Sequence, residues 1–401
     1  MKEIFNKYDK PTLFLGLYCL TVMVTFFFLP TSPHRNVLYV GGVLSIFIIF
    51  LNKKLFADFF SVIKSKSFFK HPLFISAVLF LFYNMMSVIW SDPDTSERIF
   101  KNVKIPIILS LFLFVFMAAL SKNKNLFSWM LGVFIAGNAL MSAYLIIDHF
   151  IIDGNTALRL RGIGRAVNPI SLGLLSGISA LLLVFNVNEL PRYFENKWVR
   201  VGCFLLVFAT FIASFSRGPL LAFIMSCCVL LVLKKKYKTI IGIIAFAVSF
   251  ILIEYFFDIT KTNFFERGTS GRFEVWAAGF QHILEKPIFG HGVATKFHYD
   301  ITYMGNASST VHMHSVYFSH LLQGGIIGLG FLLSTYFLLY KSAFRNRKEN
   351  LAVFSFALMG SFLGLTDFGG FHVNMNQVWL VFWIPIAYLV FTDAKRVSSQ
   401  R

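Results

Sequence analysis

The chain has 401 residues, of which 56% are apolar and only 14% charged, where an ordinary soluble domain carries about 25% charged. Its formal charge of +18 is scattered through short breaks between apolar runs, not gathered in a basic domain, which argues against a nucleic-acid-binding module. The composition is that of a polytopic membrane protein.

A membrane-spanning helix needs roughly 20 mostly apolar residues. Such runs predict an all-α integral membrane protein with about twelve spans, near 13–29, 37–51, 72–90, 103–120, 126–150, 169–187, 199–215, 219–233, 239–256, 314–340, 351–367 and 376–392. The first follows Lys2, Lys7 and Lys10 as a signal peptide would, but it runs into "FLPTSPHRN" with no small-residue cleavage site, so a retained helix is expected. The second run is short, as a tilted or partly interfacial helix would be. Cys19, Cys203, Cys227 and Cys228 all fall inside apolar runs, and no disulfide framework is implied.

With both termini cytoplasmic, 24 of the 37 Lys and Arg fall on the inner side, as the positive-inside rule requires. The two faces also differ in kind. Inside, 18 of those 24 are Lys; outside, 8 of 13 are Arg: Arg35, Arg98, Arg159, Arg161, Arg165, Arg217, Arg267 and Arg272. Arginine's planar fork suits bidentate contact with phosphate, whereas lysine is a hydrated point charge. Each outer arginine alone reads equally as a loop anchor; eight together point to an anionic ligand handled on the outer face.

"SFSRGPLLAF", 214–223, joins two spans. Arg217 is expected at the outer edge because an Arg near the bilayer centre costs ~2.5–3.5 kcal/mol on insertion scales. Gly218 would make the sharp turn and Pro219 would open the following helix, whose N-terminus and Arg217 together form an anion site. The bland alternative is a tight turn with a snorkelling arginine.

One loop is long, 257–313, and is expected to pack as a lid over the bundle within a single membrane domain, 1–401. Inside it "SGRFEVWAAGFQHILEKP" predicts a helix capped by Ser270. Its apolar face, Phe273, Trp276, Phe280 and Leu284, would lie on the membrane surface or on the bundle. Next, "NASSTVHMHS", 306–315, opens the tenth span, with Ser308, Ser309 and Thr310 as candidate caps. On a helix at about 100° per residue, His312, His314 and His320 point to three different faces. No Asp, Glu or Cys stands at recognised ligand spacing, so the pattern gives no metal site. A single histidine at the helix start, beside arginines, should have its pKa depressed and favour the neutral imidazole that can accept a proton; a histidine merely hydrogen-bonded at the interface fits the local sequence as well. In "GLTDFGGFHVNMN", 364–376, Asp367 ends the eleventh span and could pair with an arginine or orient a histidine.

These pieces resemble the O-antigen ligase family, within a superfamily that includes O-antigen polymerases. The likeness rests on "SRG" at 216–218, on "SGR" followed by Trp276 and "PIFGHG" across 270–292, and on "HS" followed by "LLQGGIIG" across 314–328. It implies a metal-independent, cofactor-free glycosyltransferase in the bacterial inner membrane, with its active site facing the periplasm. The implied donor is an O-antigen glycan on undecaprenyl pyrophosphate and the acceptor a sugar hydroxyl of lipid A-core, with membrane lipid around it and no nucleic acid. By position the family's functional residues carry over to Arg217, Arg272 and His314 as catalytic, and to Asp367 by location more than by motif. Arg159, Arg161 and Arg165 are expected to bind substrate with Arg217, Arg272 and Asp367. Ser315 stands where Asn is frequent in the superfamily. A polymerase using the same donor, and a transporter of lipid-linked oligosaccharide, are the competing readings; the latter should place ionisable residues near mid-membrane, and here they lie at the rim.

Overall fold

The computed structural model describes residues 9–92, 95–154, 159–241, 249, 271–303, 306–370 and 376–399. Helix α1, Lys10–Phe28, starts at Asp9, whose carboxylate accepts the Thr12 N–H at 3.0 Å, and turns back at Pro30 into α2, Thr31–Leu51. The two are clamped by the Tyr18 hydroxyl on the Leu38 carbonyl at 2.8 Å. The second span is thus not short: the polar stretch 31–36, which an apolar scan rejects, forms its first turns. Helix α3, Lys53–Ile63, buries Leu55, Phe59 and Val62 along one face and occupies what hydropathy alone gives as an inner loop.

The chain continues through α4, Pro72–Met86, which tightens into a 3₁₀ turn at Ser87–Trp90, and α5, Ser96–Lys122, with Pro106 inside it. Helix α6, Leu126–Ile146, loosens into a π turn at Ile147–Ile152. Helix α7, Pro169–Phe185, is buried almost all the way round, which is why its sequence is apolar on every face. It packs against α6 and against α8, Lys197–Ala213, and α9, Arg217–Leu233. Among apolar surroundings a polar pair is informative: Asn138 on α6 donates to Ser179 on α7 at 2.9 Å, and Ser76 on α4 meets Thr335 at 2.9 Å. Such bonds fix helix register where lipid tails give no hydrophobic drive.

The expected ninth span lies largely outside the described residues. After it come α10, Arg272–Glu285, and a two-stranded antiparallel sheet, β1 Tyr299–Tyr303 with β2 Asn306–Thr310. Helix α11, Val316–Arg345, is broken at Gly325. Helix α12, Leu351–Leu363, has its first free N–H groups met by the Glu189 carboxylate, 3.0 and 3.3 Å from the Ala352 nitrogen. A π turn, Trp379–Trp383, leads into α13, Ile384–Ser399. Among the described residues six helical segments are long and apolar enough to cross a membrane, and Pro169–Phe185, Arg217–Leu233 and Leu351–Leu363 are shorter apolar helices.

Candidate active site at one end of the bundle

The turn between α8 and α9 carries Arg217. It is made not by Gly218 but by Phe215, which adopts φ 43°, a left-handed conformation costing a non-glycine residue ~1–2 kcal/mol. Ser216 is the N-cap and Arg217 the first helical residue. Gly218 has another job: a Cβ there would stand 3.0 Å from Thr366 Oγ1 and 3.1 Å from Leu363 Cδ1. The start of α9 is thereby pressed against the end of α12, one residue from Asp367.

The segment before α11 is not helical. Ser308, Ser309 and Thr310, expected as caps, pair in β2; the N-cap is Ser315, whose hydroxyl lies 3.5 Å from the Phe318 nitrogen and 3.4 Å from the Gly364 carbonyl oxygen. The Val316 N–H donates to that same carbonyl at 2.9 Å. The start of α11 is thus tied to the end of α12, and His314, at φ 47°, is held in the turn between them. His312 and His314 stand with ring centroids 6.4 Å apart. His320 alone is on the helix, fully buried, with Nδ1 2.7 Å from the Val316 carbonyl oxygen. Among the described residues no three His, Cys, Asp or Glu side chains converge as metal ligands.

Helix α10 braces this turn from the other side. Its N-cap is Gly271 at φ 72°, Ser270 lying outside the described residues, and Arg272 is its first residue. One turn on, the Trp276 indole N–H donates to the Met313 carbonyl at 2.7 Å, next to His314. The face docked on the bundle is Val275, Gly279 and Ile283, with Met313 so close that a Cβ at Gly279 would lie 2.3 Å from its sulfur. Of the face read from the sequence, Phe273, Phe280 and Leu284 point outward, as the membrane-surface alternative has it. The helix is apolar on both sides, one for the bundle and one free for a membrane surface.

Asp367 completes the arrangement. Its Oδ1 accepts the Phe368 N–H at 2.7 Å, while Oδ2 is buried with no partner among the described residues. Burial pushes the carboxyl above the ordinary range; the Phe368 N–H, then His314, Arg272 and His312, pull it back. Burial also lowers His314, assisted by Arg272 and His312 and opposed by Asp367. The depression expected from a helix end therefore arises from burial first. His312, at the exposed rim, is likewise lowered, with Arg98 and Lys101 of α5 and Asp367 in electrostatic reach; Gly369 backs it, a Cβ there standing 3.4 Å from Nδ1. Arg272 Nε is buried and has no partner among the described residues. Two opposed groups thus each present an unsatisfied buried atom, which native proteins rarely tolerate without a ligand or water.

Arg272, His314 and Asp367 are therefore brought together, and Arg217 starts the helix that abuts them. Arg159 and Arg161 are exposed on either side of buried Leu160, whose N–H donates to the Ala213 carbonyl at 2.8 Å, just before the Arg217 turn. Arg165 lies elsewhere, on the α1–α2 turn. Of the residues in reach of His312, Lys101 was not singled out by the sequence; the one available signal was its place on the face expected to be outer.

The "PIFGHG" and "LLQGGIIG" stretches explain each other. At the break in α11 the Leu322 and Gln323 carbonyls accept the His291 and Gly292 N–H groups at 2.9 and 2.8 Å, and the Ile326 and Ile327 N–H groups donate to the Pro287 and Ile288 carbonyls at 2.9 and 3.4 Å. The loop thus supplies, residue for residue, the bonds the broken helix lacks. Gly290 and Gly325, at φ 69° and 62°, permit the contact: a Cβ on either would lie 2.5 or 2.1 Å from backbone of the other segment.

Trp276→Phe keeps the ring but removes the donor to Met313. It should cost about 1–3 kcal/mol of local stability and lower activity several-fold through disorder of the His314 turn, read as faster amide hydrogen exchange at 312–315 beside an unchanged bundle.

A family model described as O-Antigen ligase matches residues 202–333, which takes in Arg217, Arg272, the helix break and His314 but not Asp367. A Pseudomonas aeruginosa protein named O-antigen ligase is 29% identical over 339 residues, covering 82% of this chain and 80% of its own. With the motifs in their order and the helical membrane architecture, these matches make the chain similar to the O-antigen ligase family over most of its length.

Proposed function

We propose that the chain is an O-antigen ligase, transferring a glycan from undecaprenyl pyrophosphate to a sugar hydroxyl of lipid A-core at the periplasmic face of the inner membrane. The observation that carries this reading is the convergence of Arg272, His314 and Asp367 with two buried unsatisfied atoms, Arg272 Nε and Asp367 Oδ2. Arg272 and Arg217 meet the pyrophosphate and stabilise the charge that grows on its oxygen as the sugar–phosphate bond breaks. The acceptor oxygen forms its bond to the anomeric carbon from the opposite face, inverting it. The electron pair of the breaking bond leaves with the lipid pyrophosphate, and the hydroxyl proton passes to a ring nitrogen of His314. Asp367 holds His314 and stabilises it once protonated. Arg159 and Arg161 extend the basic surface toward the glycan.

A polymerase would use the same donor and the same chemistry with a second lipid-linked glycan as acceptor. The lipopolysaccharide of a deletion strain separates them: loss of a ligase leaves bare core and accumulates lipid-linked glycan, and core bearing a single repeat unit in that strain would overturn the ligase reading.

A further inference from the structure

The basic residues at this end of the bundle form two clusters, and the second is built on the α1–α2 turn. The Arg165 N–H donates to the Phe26 carbonyl at 3.1 Å, and its guanidinium Nη1 donates to the Thr31 hydroxyl. Gly164, at φ 61°, lets the chain come that close, since a Cβ would stand 2.2 Å from the Phe27 carbonyl oxygen. Arg35, one turn into α2, donates from Nη2 to the Ser32 hydroxyl at 3.3 Å. Helix α2 has no side-chain cap, Pro30 standing at the N-cap, so its positive end faces the same exposed surface. Beneath it His34 is fully buried: Nδ1 lies 3.0 Å from the Thr25 hydroxyl oxygen, and Nε2 is buried with no partner among the described residues. Arg165 bonds Thr31 and Arg35 bonds Ser32, so both guanidinium groups sit at the first turn of α2, the turn that carries His34.

Two guanidinium groups beside an uncapped helix start, with a buried imidazole atom of that helix that has no partner among the described residues, match an oxygen-rich anion. We propose that Arg35, Arg165 and the start of α2 form a second phosphoryl-binding site, and that it holds a phosphate carried by the acceptor glycolipid. The proposal rests on the ligase reading for the identity of that glycolipid. The strap 160–165 joins the two clusters: Leu160 is anchored at Ala213 beside the Arg217 turn and Arg165 at Phe26. Five residues span at most ~18 Å when extended, so one amphiphile can touch both.

A bilayer phospholipid offers the same phosphoryl chemistry, and equilibrium binding distinguishes the sources. The full chain in phosphatidylcholine nanodiscs is titrated with a phosphorylated core glycolipid and with the same molecule after phosphatase treatment. The wild type should bind the phosphorylated form about tenfold more tightly, as one good charge-assisted contact allows. Arg35→Gln should lose most of that preference and the Arg35→Gln, Arg165→Gln pair all of it, while Arg165→Lys retains part. Arg35→Gln leaves the Arg165 anchor intact, so it reads the site even if the double variant fails to fold. Equal binding of both glycolipids by the wild type overturns the acceptor assignment. If the variants instead lose phosphatidylglycerol from mixed nanodiscs, seen by native mass spectrometry, the occupant is a bilayer lipid and the assignment also falls. Because binding is measured without a donor, absence of glycan transfer by the wild type would count against the ligase reading and not against this site.

Discussion

His314→Ala should lower kcat by about 10²–10⁴-fold while leaving donor binding nearly unchanged, because a positioned general base contributes that much. Ligation by the purified variant at a near-normal rate would remove His314 from the mechanism. The pH dependence supplies a sharper check. His314 must be neutral to accept the proton, and its pKa is lowered below the ordinary 6.5 by burial first and by Arg272 and His312 after it. The acid limb of the rate profile is therefore expected below pH 6.5, with activity present above it and lost as pH falls through the lowered pKa. Asp367 is the neighbour that raises His314. Asp367→Asn removes that charge and should move the limb further into acid even as the maximal rate drops. A limb shifting upward would mean that Asp367 does not act on His314.

The largest structural effect is expected at the helix break. Gly325→Val puts a Cβ 2.1 Å from the Ile288 carbonyl oxygen, at a φ of 62° that a branched side chain disfavours. The obstacle is backbone, which cannot rotate aside as a side chain can. Relief requires the two segments to part, giving up the four hydrogen bonds at 2.8–3.4 Å that join them. At ~0.5–1.5 kcal/mol net each, and more in apolar surroundings, their loss outweighs much of a typical folding free energy of ~5–15 kcal/mol. The measurement is the yield and melting temperature of detergent-purified protein. Gly330→Ala, on the same helix with nothing within 4 Å of a Cβ, is the control and should be neutral or stabilising by about 0.5–1 kcal/mol. Equal losses in both variants would mean that the break is not a special point.

Most helices among the described residues were legible because the apolar runs are bounded by charge or by Gly, Pro and Asn, a local signal. What was not legible is long-range. Gly218 reads as a turn glycine from its neighbours Arg217 and Pro219, and only the approach of Thr366, more than a hundred residues on, shows that it is a contact glycine. For α10 the sequence left membrane surface and bundle open, because its apolar arc is wide and periodicity cannot say which part of it meets Met313. The hairpin carried a signal, Tyr299, Ile301 and Tyr303 alternating before the dipeptide Gly305-Asn306, which the reading of Ser308 to Thr310 as helix caps did not use. Arg165 was grouped with Arg159 and Arg161 by sequence proximity, and the strap carries it to another part of the surface. Arg272 and His314 were named from motif order and Asp367 from its location; the physical basis of their meeting, the Val316 to Gly364 and Trp276 to Met313 bonds, was not legible.

The patched break in α11 also bears on how the protein is made. A helix interrupted at 322–327 leaves open backbone donors and acceptors that hydrocarbon cannot satisfy, each costing several kcal/mol. Segment 287–292, which closes them, precedes α11 in the chain, so the ribosome delivers the patch before the span that needs it. Formation of this helix is then coupled to the prior presence of the loop, making its assembly sequential, with the loop serving as a template for the helix.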